Sequence, residues 1–213
     1  MSAKVPHFAP APLVERPPVP GIVPRLAAWT LRTAGWKIRL AQPVPARCVA
    51  IFYPHTSNWD TVIGLFAKAT IGLSIGFIGK DTLFRWPLAP ILVRWGGIPV
   101  NRREPHGFVE NIAAEFGRRR QFRLAVAPEG TRSRAERWKS GFYRIARAAR
   151  VPLALAYIDY PAREIGVGAY LDLTGDEDAD MARIRTFYAG KLGRHPESQG
   201  PIRLHDGAAR GGR

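Results

Sequence analysis

The sequence predicts an α/β layered domain, with a mostly parallel central sheet flanked by helices. Three observations carry this. Short apolar runs of strand length alternate with segments whose apolar residues recur every three or four positions, the pattern of strands joined by crossover helices. The chain has 213 residues, 46% of them hydrophobic, which suits one full core rather than two domains. It has one cysteine, Cys48, so neither a disulfide framework nor a multi-cysteine zinc site can substitute for that core, and a reducing compartment suits it.

Taken in order, Pro6, Pro10, Pro12, Pro17, Pro18, Pro20 and Pro24 make residues 1–24 an extended arm. No continuous apolar stretch precedes these prolines, so no secretory signal is read. Pro24 suits the first turn of a basic amphipathic helix over residues 25–40. Ile22, Leu26, Trp29, Trp36 and Leu40 then share a stripe, with Arg25, Arg32 and Arg39 as a ridge beside it. Such a helix can lie in a membrane interface or pack its tryptophans on the domain, and the two are compatible.

Residues 47–53, between Pro45 and Pro54, read as a buried strand, and a helix follows His55–Asp60. Residues 61–79 are the most apolar stretch and nearly long enough to span a bilayer. Lys68 sits at their centre, where insertion scales charge about 2.5–3.5 kcal/mol. The stretch also divides into a helix at 61–69 and a strand at 75–79, so it is expected as core. Further strands are expected near 97–100 and at 122–127, 153–158 and 165–171. Helices are expected at 108–119, 138–149 and 180–189; in the second, Phe142, Ile145, Ala146 and Ala149 share a face. Residues 194–213 lack periodicity and read as a flexible tail.

Lys and Arg number 32 against 17 Asp and Glu, a formal charge of +15 that implies an anionic partner. A nucleic acid is the weakest choice, because no zinc finger, RNA-binding strand motif or helix-turn-helix pattern is present. An anionic membrane surface or a phosphorylated substrate remains. The basic segments 118–120 and 138–150 would face anionic lipid or an acidic carrier protein, or would simply be solvated.

The candidate chemistry lies in strand-end segments. PHTSNWD puts His55 just past a strand and Asp60 in the first turn of the next helix. A carboxylate against the far ring nitrogen makes a His a general base, because it fixes the tautomer and stabilises the imidazolium. Alternatively, Asp60 complements the helix dipole while Ser57 or Asn58 caps the helix. Ser57, only two residues from His55, reads as a cap rather than a nucleophile. GLSIGFIGK lacks the phosphate-loop spacing, and no metal-ligand spacing appears, so a site without metal or cofactor is expected. RWGGIPVNRRE puts Arg102 and Arg103 after a short strand, where guanidiniums can grip phosphate. AVAPEGTRSR opens a strand end into Glu129, Gly130, Thr131 and Arg132, a converging set of carboxylate, hydroxyl and cation, or else a polar turn with a buried Glu–Arg pair.

The ordered set H-T-S-N-W-D, G-G-I-P-V-N-R, P-E-G-T-R-S and then V-P at Val151 and Pro152 resembles the glycerolipid acyltransferase family. The resemblance covers about residues 45–160. The family's best-known activity is 1-acyl-sn-glycerol-3-phosphate acyltransferase. It implies catalytic roles for His55 and Asp60, and acceptor-phosphate binding by Arg102, with Lys80 or Arg103 assisting. It also implies acceptor binding by Glu129, Gly130, Thr131 and Arg132, and donor or structural contacts at the fourth block. Thr56, Pro54 and Asn101 depart from the common pattern, which leaves the acceptor open: 1-acyl-sn-glycerol-3-phosphate, another lysophospholipid or an amino-acid-containing lipid. The implied donor is acyl-CoA or acyl carrier protein. The expected domain spans residues 41–193, in the cytoplasm and peripheral on the inner face of the membrane.

Overall fold

The computed structural model describes residues 13–15, 19–100 and 107–204. The elements in chain order are strand β1 (Leu13–Glu15), helix α1 (Ile22–Thr33), β2 (Lys37–Ala41), β3 (Arg47–Tyr53), α2 (Asn58–Ile71), β4 (Gly76–Lys80) and α3 (Leu88–Arg94). There follow β5 (Gly97–Val100), α4 (Phe108–Arg118), β6 (Phe122–Val126), α5 (Gly141–Ala149), β7 (Leu153–Asp159), β8 (Glu164–Leu171) and α6 (Glu177–Tyr188). The strands form one 8-stranded sheet in the order β1-β2-β8-β7-β3-β6-β4-β5. Only the β1–β2 and β7–β8 pairs are antiparallel; the rest are parallel. The α/β layered architecture with a mostly parallel sheet is the one the sequence predicts.

Alternation along the strands gives the sheet two different faces. Val49, Ile51, Leu124, Leu153 and Leu155 point to one face and are buried with Ile112 and Phe116 of α4, Phe142 and Ile145 of α5, and Ile184 and Tyr188 of α6. The other face carries Cys48, Ala50, Ala154 and Ala156. Further along it, Ile158 and Ile165 pack with Ile38, Trp36, Leu31 of α1, and Ile63 and Ala67 of α2.

Four boundaries differ from the sequence reading. The helix expected over residues 25–40 is α1, which starts at Ile22 and ends at Thr33. Gly35 then takes φ +77°, a left-handed turn that sends the chain into β2. Trp36 is buried edge-on against Tyr160, and Arg39 pairs with Glu164 at 3.3 Å, so neither belongs to a helical stripe or ridge. The arm includes β1, which extends the sheet beyond β2. Residues 194–204 are not a loose tail. Leu204 is buried, the Trp138 backbone N–H donates to Arg203 O, and the segment leans on the strand ends described below. The helix expected from residue 138 begins at Gly141, because Trp138 is wholly buried among Tyr53, Phe142 and Tyr188. Among the described residues no helix is long and apolar enough to cross a membrane.

Candidate active site

β3, β6, β4 and β5 run parallel, so the segments that follow them leave the sheet at one edge. The first three motif blocks follow β3, β5 and β6 at that edge, the usual place for a site in an open parallel sheet, whereas Val151 and Pro152 precede β7 at the opposite edge. After β3, Pro54 ends the strand and His55 opens the turn into α2. Ser57 is the N-cap, accepting from Trp59 N–H at 3.2 Å, and Asp60 completes a capping box. Asp60 Oδ2 accepts from the N–H groups of Thr56 and Ser57, both at 2.8 Å. His55 Nδ1 lies 3.2 Å from the same oxygen, while Asp60 Oδ1 accepts from the Tyr160 hydroxyl at 2.7 Å.

The capping role and the orienting role therefore belong to one carboxylate. His55 Nδ1 makes no hydrogen bond at this geometry, so the pair is a close approach at 3.2 Å. Asp60 is fully buried. Burial pushes its pKa up, but the close His55 imidazole and the hydrogen bonds from Tyr160 and the Ser57 N–H outweigh it and hold the carboxyl below its ordinary value. With Asp60 ionised against Nδ1, Nε2 is the nitrogen left for a substrate proton.

His55 and Asp60 stand at one end of an apolar cavity of about 250 Å³. Its wall is the small-residue face of the sheet, including Ala50, Ala125, Ala154 and Ala156, and its far end reaches Cys48 and Arg123. Seven residue steps of extended chain lead from Cys48 to His55, roughly 23 Å at about 3.3 Å per residue. Lys68 of α2 borders the cavity and donates to Ile75 O at 2.6 Å and to Trp95 O. Burial lowers its pKa. Burial raises that of the Cys48 thiol to about 11, so it is no nucleophile at neutral pH.

The structure divides the remaining predicted residues. Glu129 follows β6 and is buried, with its oxygens accepting from His55 N–H at 3.2 Å and Gly200 N–H at 3.5 Å. These two bonds brace the turn that carries His55. Burial pushes the Glu129 pKa up to about 6, against the opposing pull of those two N–H groups. Gly130 takes φ +67° beneath the Lys139 side chain, and this turn leaves Thr131 and Arg132 exposed, with Thr131 Oγ1 accepting from Ser133 N–H at 3.2 Å. Lys80 ends β4, level with Val100 at the end of β5. Its side chain, and all of Arg102 and Arg103, lie outside the described residues.

Sequence reasoning missed the segment over the catalytic turn. His195 N–H donates to Thr56 Oγ1 at 3.1 Å, Tyr53 OH donates to Gly200 O at 3.3 Å, and Gln199 donates to Tyr53 OH and Lys191 O. A Cβ on Gly193 would lie 2.6 Å from Thr56 Oγ1, so the approach requires glycine. The pattern of glycines at 193 and 200 was its one visible signal. Tyr160, the second partner of Asp60, carried none.

The Acyltransferase family model matches residues 37–159, more than half of the chain. The chain belongs to that family. Acyl transfer is accordingly the reaction class of the site. Among solved structures, the 1-acyl-sn-glycerophosphate (LPA) acyltransferase PlsC from Thermotoga maritima is similar in fold, with a TM-score of 0.55 and 14% identity. The match covers 78% of this chain and 74% of that one. No curated protein matches the sequence.

Proposed function

We propose that this acyltransferase moves a long acyl chain from acyl-CoA or acyl carrier protein to the free hydroxyl of 1-acyl-sn-glycerol-3-phosphate, making phosphatidic acid. The observation that carries the reading is a buried, oriented His–Asp pair at the mouth of an apolar cavity of acyl-chain length. His55 takes the hydroxyl proton as the oxygen attacks the thioester carbonyl. The tetrahedral intermediate then collapses, the C–S bond breaks, and the imidazolium returns the proton to the leaving sulfur. Asp60 steadies the imidazolium throughout. No acyl-enzyme forms, in keeping with a site whose nearby Ser57 is spent on a helix cap. Arg102, with Lys80 or Arg103, and exposed Thr131 and Arg132 hold the acceptor's phosphate end.

The same reading has the enzyme work on the anionic inner surface of the membrane. Ile22, Val23, Leu26 and Trp29 of α1 are exposed, and Arg25 and Arg32 are exposed beside them. Apolar insertion plus about 1 kcal/mol per basic residue gives reversible docking that weakens with salt. The test is thioester release with purified protein, anionic vesicles and a panel of lyso-acceptors, with the product identified. Turnover confined to a different lyso-lipid would move the acceptor assignment, and no turnover with any acceptor would end the reading.

A further inference from the structure

A second hollow, of about 490 Å³, opens on the far side of Tyr160 from Asp60. It lies on another face of α2: Trp59, Val62, Ile63 and Phe66 border it, whereas Thr61, Gly64, Leu65 and Lys68 border the first cavity. Tyr160, whose hydroxyl is bonded to Asp60, is part of its lining, so the hollow reaches the back of the catalytic carboxylate. Two guanidiniums border it. Arg194 sits 5.8 Å over the Trp59 ring and makes no hydrogen bond or ion pair with any described residue. Arg163 donates one N–H to Ala34 O at 2.7 Å and lies against the bare Cα of Gly35, where a Cβ would be 3.1 Å from its Nη1. Neither has a carboxylate partner among the described residues.

Two cations bordering a hollow walled by Trp36, Trp59, Phe66 and Tyr160, one of them over the Trp59 ring and neither paired with a described carboxylate, make a site for a phosphate carried on a flat or apolar body. The site's place in the sheet says which substrate brings it. β7 and β6 flank β3 on opposite sides. The segments read as the acceptor's lie beyond β6, at Glu129–Arg132, and beyond β5. Tyr160 and Arg163 follow β7, and Arg194 reaches them because Tyr160 N–H is bonded to Leu192 O. The second substrate has this side to itself.

We propose that Arg163 and Arg194 bind the phosphate of the thioester donor, whose phosphopantetheine arm crosses this hollow to bring its carbonyl to His55. The proposal rests on the reading of the enzyme as a thioester-dependent acyltransferase. It gives the donor a phosphate site distinct from that of the acceptor.

The experiment compares the full chain with Arg194→Ala and Arg194→Lys, using acyl-CoA, acyl carrier protein and acyl-pantetheine, which has no phosphate. Arg194→Ala should lower kcat/KM for acyl-CoA about tenfold or more, leave acyl-pantetheine and the acceptor's KM unchanged, and weaken binding of free coenzyme A measured by calorimetry. The lysine variant should recover part of the loss. A parallel loss with acyl carrier protein identifies the arm's own phosphate as the ligand; a loss confined to acyl-CoA identifies the nucleotide's phosphates. Equal loss with acyl-pantetheine, or a raised acceptor KM with normal donor discrimination, overturns the proposal. Arg194 is exposed, and an unchanged unfolding midpoint separates lost binding from lost fold. If the wild type consumes no thioester, the functional reading falls; if it does and Arg194→Ala still prefers acyl-CoA as strongly, only this site falls.

Discussion

The central strands build two unlike surfaces from alternate residues. On one face Val49, Ile51, Leu124, Leu153 and Leu155 are completely buried under α4, α5 and α6. On the other, the same strands offer Cys48, Ala50, Ala154 and Ala156, and α2 crosses them without filling the space. Burying each large aliphatic side chain contributes about 1.5–3 kcal/mol. An alanine contributes much less, and the saved volume is the cavity. Stability is thus concentrated on one face, which leaves the other free to be hollow. The proposed chemistry sits at the edge where both faces end.

That division can be tested at five points, in falling order of effect. His55→Ala, at the shared edge, should cut kcat by about 10²- to 10⁴-fold while leaving the unfolding midpoint unchanged. Near-normal thioester release would remove the edge as the site of chemistry. Leu155→Ala, on the packed face, should cost about 2–5 kcal/mol in urea unfolding and leave the preferred acyl length alone. A changed chain preference would mean that the faces are not independent. Gly193→Ala should push the covering segment off Thr56 and lower kcat about ten- to a hundredfold, since small misplacements of a base are expensive. A wild-type rate would show that the segment only rests on the turn.

The fourth point is Glu129, whose pKa in the folded protein is raised to about 6 from 4.5. Between those values the native state binds the proton more tightly than the unfolded chain, so stability should fall as pH rises through that window, by about 2 kcal/mol at most. Glu129→Gln should abolish this slope in unfolding titrations run from pH 4 to 7, and an unaltered slope would assign it to another group. The smallest effect belongs to Ala50→Leu on the hollow face. It should change stability by less than about 1.5 kcal/mol yet shift donor preference toward shorter acyl chains. An unaltered chain-length profile would break the link between cavity and acyl group.

The sequence was most readable where local chemistry decides the structure. β3 lies between two prolines, β6 and β7 are short apolar runs, and the Ser57–Asp60 spacing is a helix start as well as a catalytic pattern. It misled where helical phase continued past a break. Trp36 and Leu40 keep the α1 stripe in step, but Gly35 at positive φ turns the backbone, and the pairing of β2 with β8 is formed with residues more than a hundred positions away. Burial of Glu129 was equally hidden, because the Gly200 N–H that fixes it comes from a segment without periodicity. Tyr160 reaches Asp60 across 100 residues of sequence, a contact that only the sheet topology creates. The four motif blocks carried the reaction class, and the tertiary contacts decided which of their residues are buried, as Glu129 is, and which exposed, as Thr131 and Arg132 are.

The segment over the catalytic turn also has a consequence in time. Thr56 and the His195 that ties it down are separated by 139 residues, so during synthesis the base is made long before its fastening. A nascent chain can leave the ribosome with every motif block finished and the turn around His55 still unseated. A premature stop codon or a single proteolytic cut shortly before Gly193 would have the same result, disarming an enzyme whose recognised motifs are all intact.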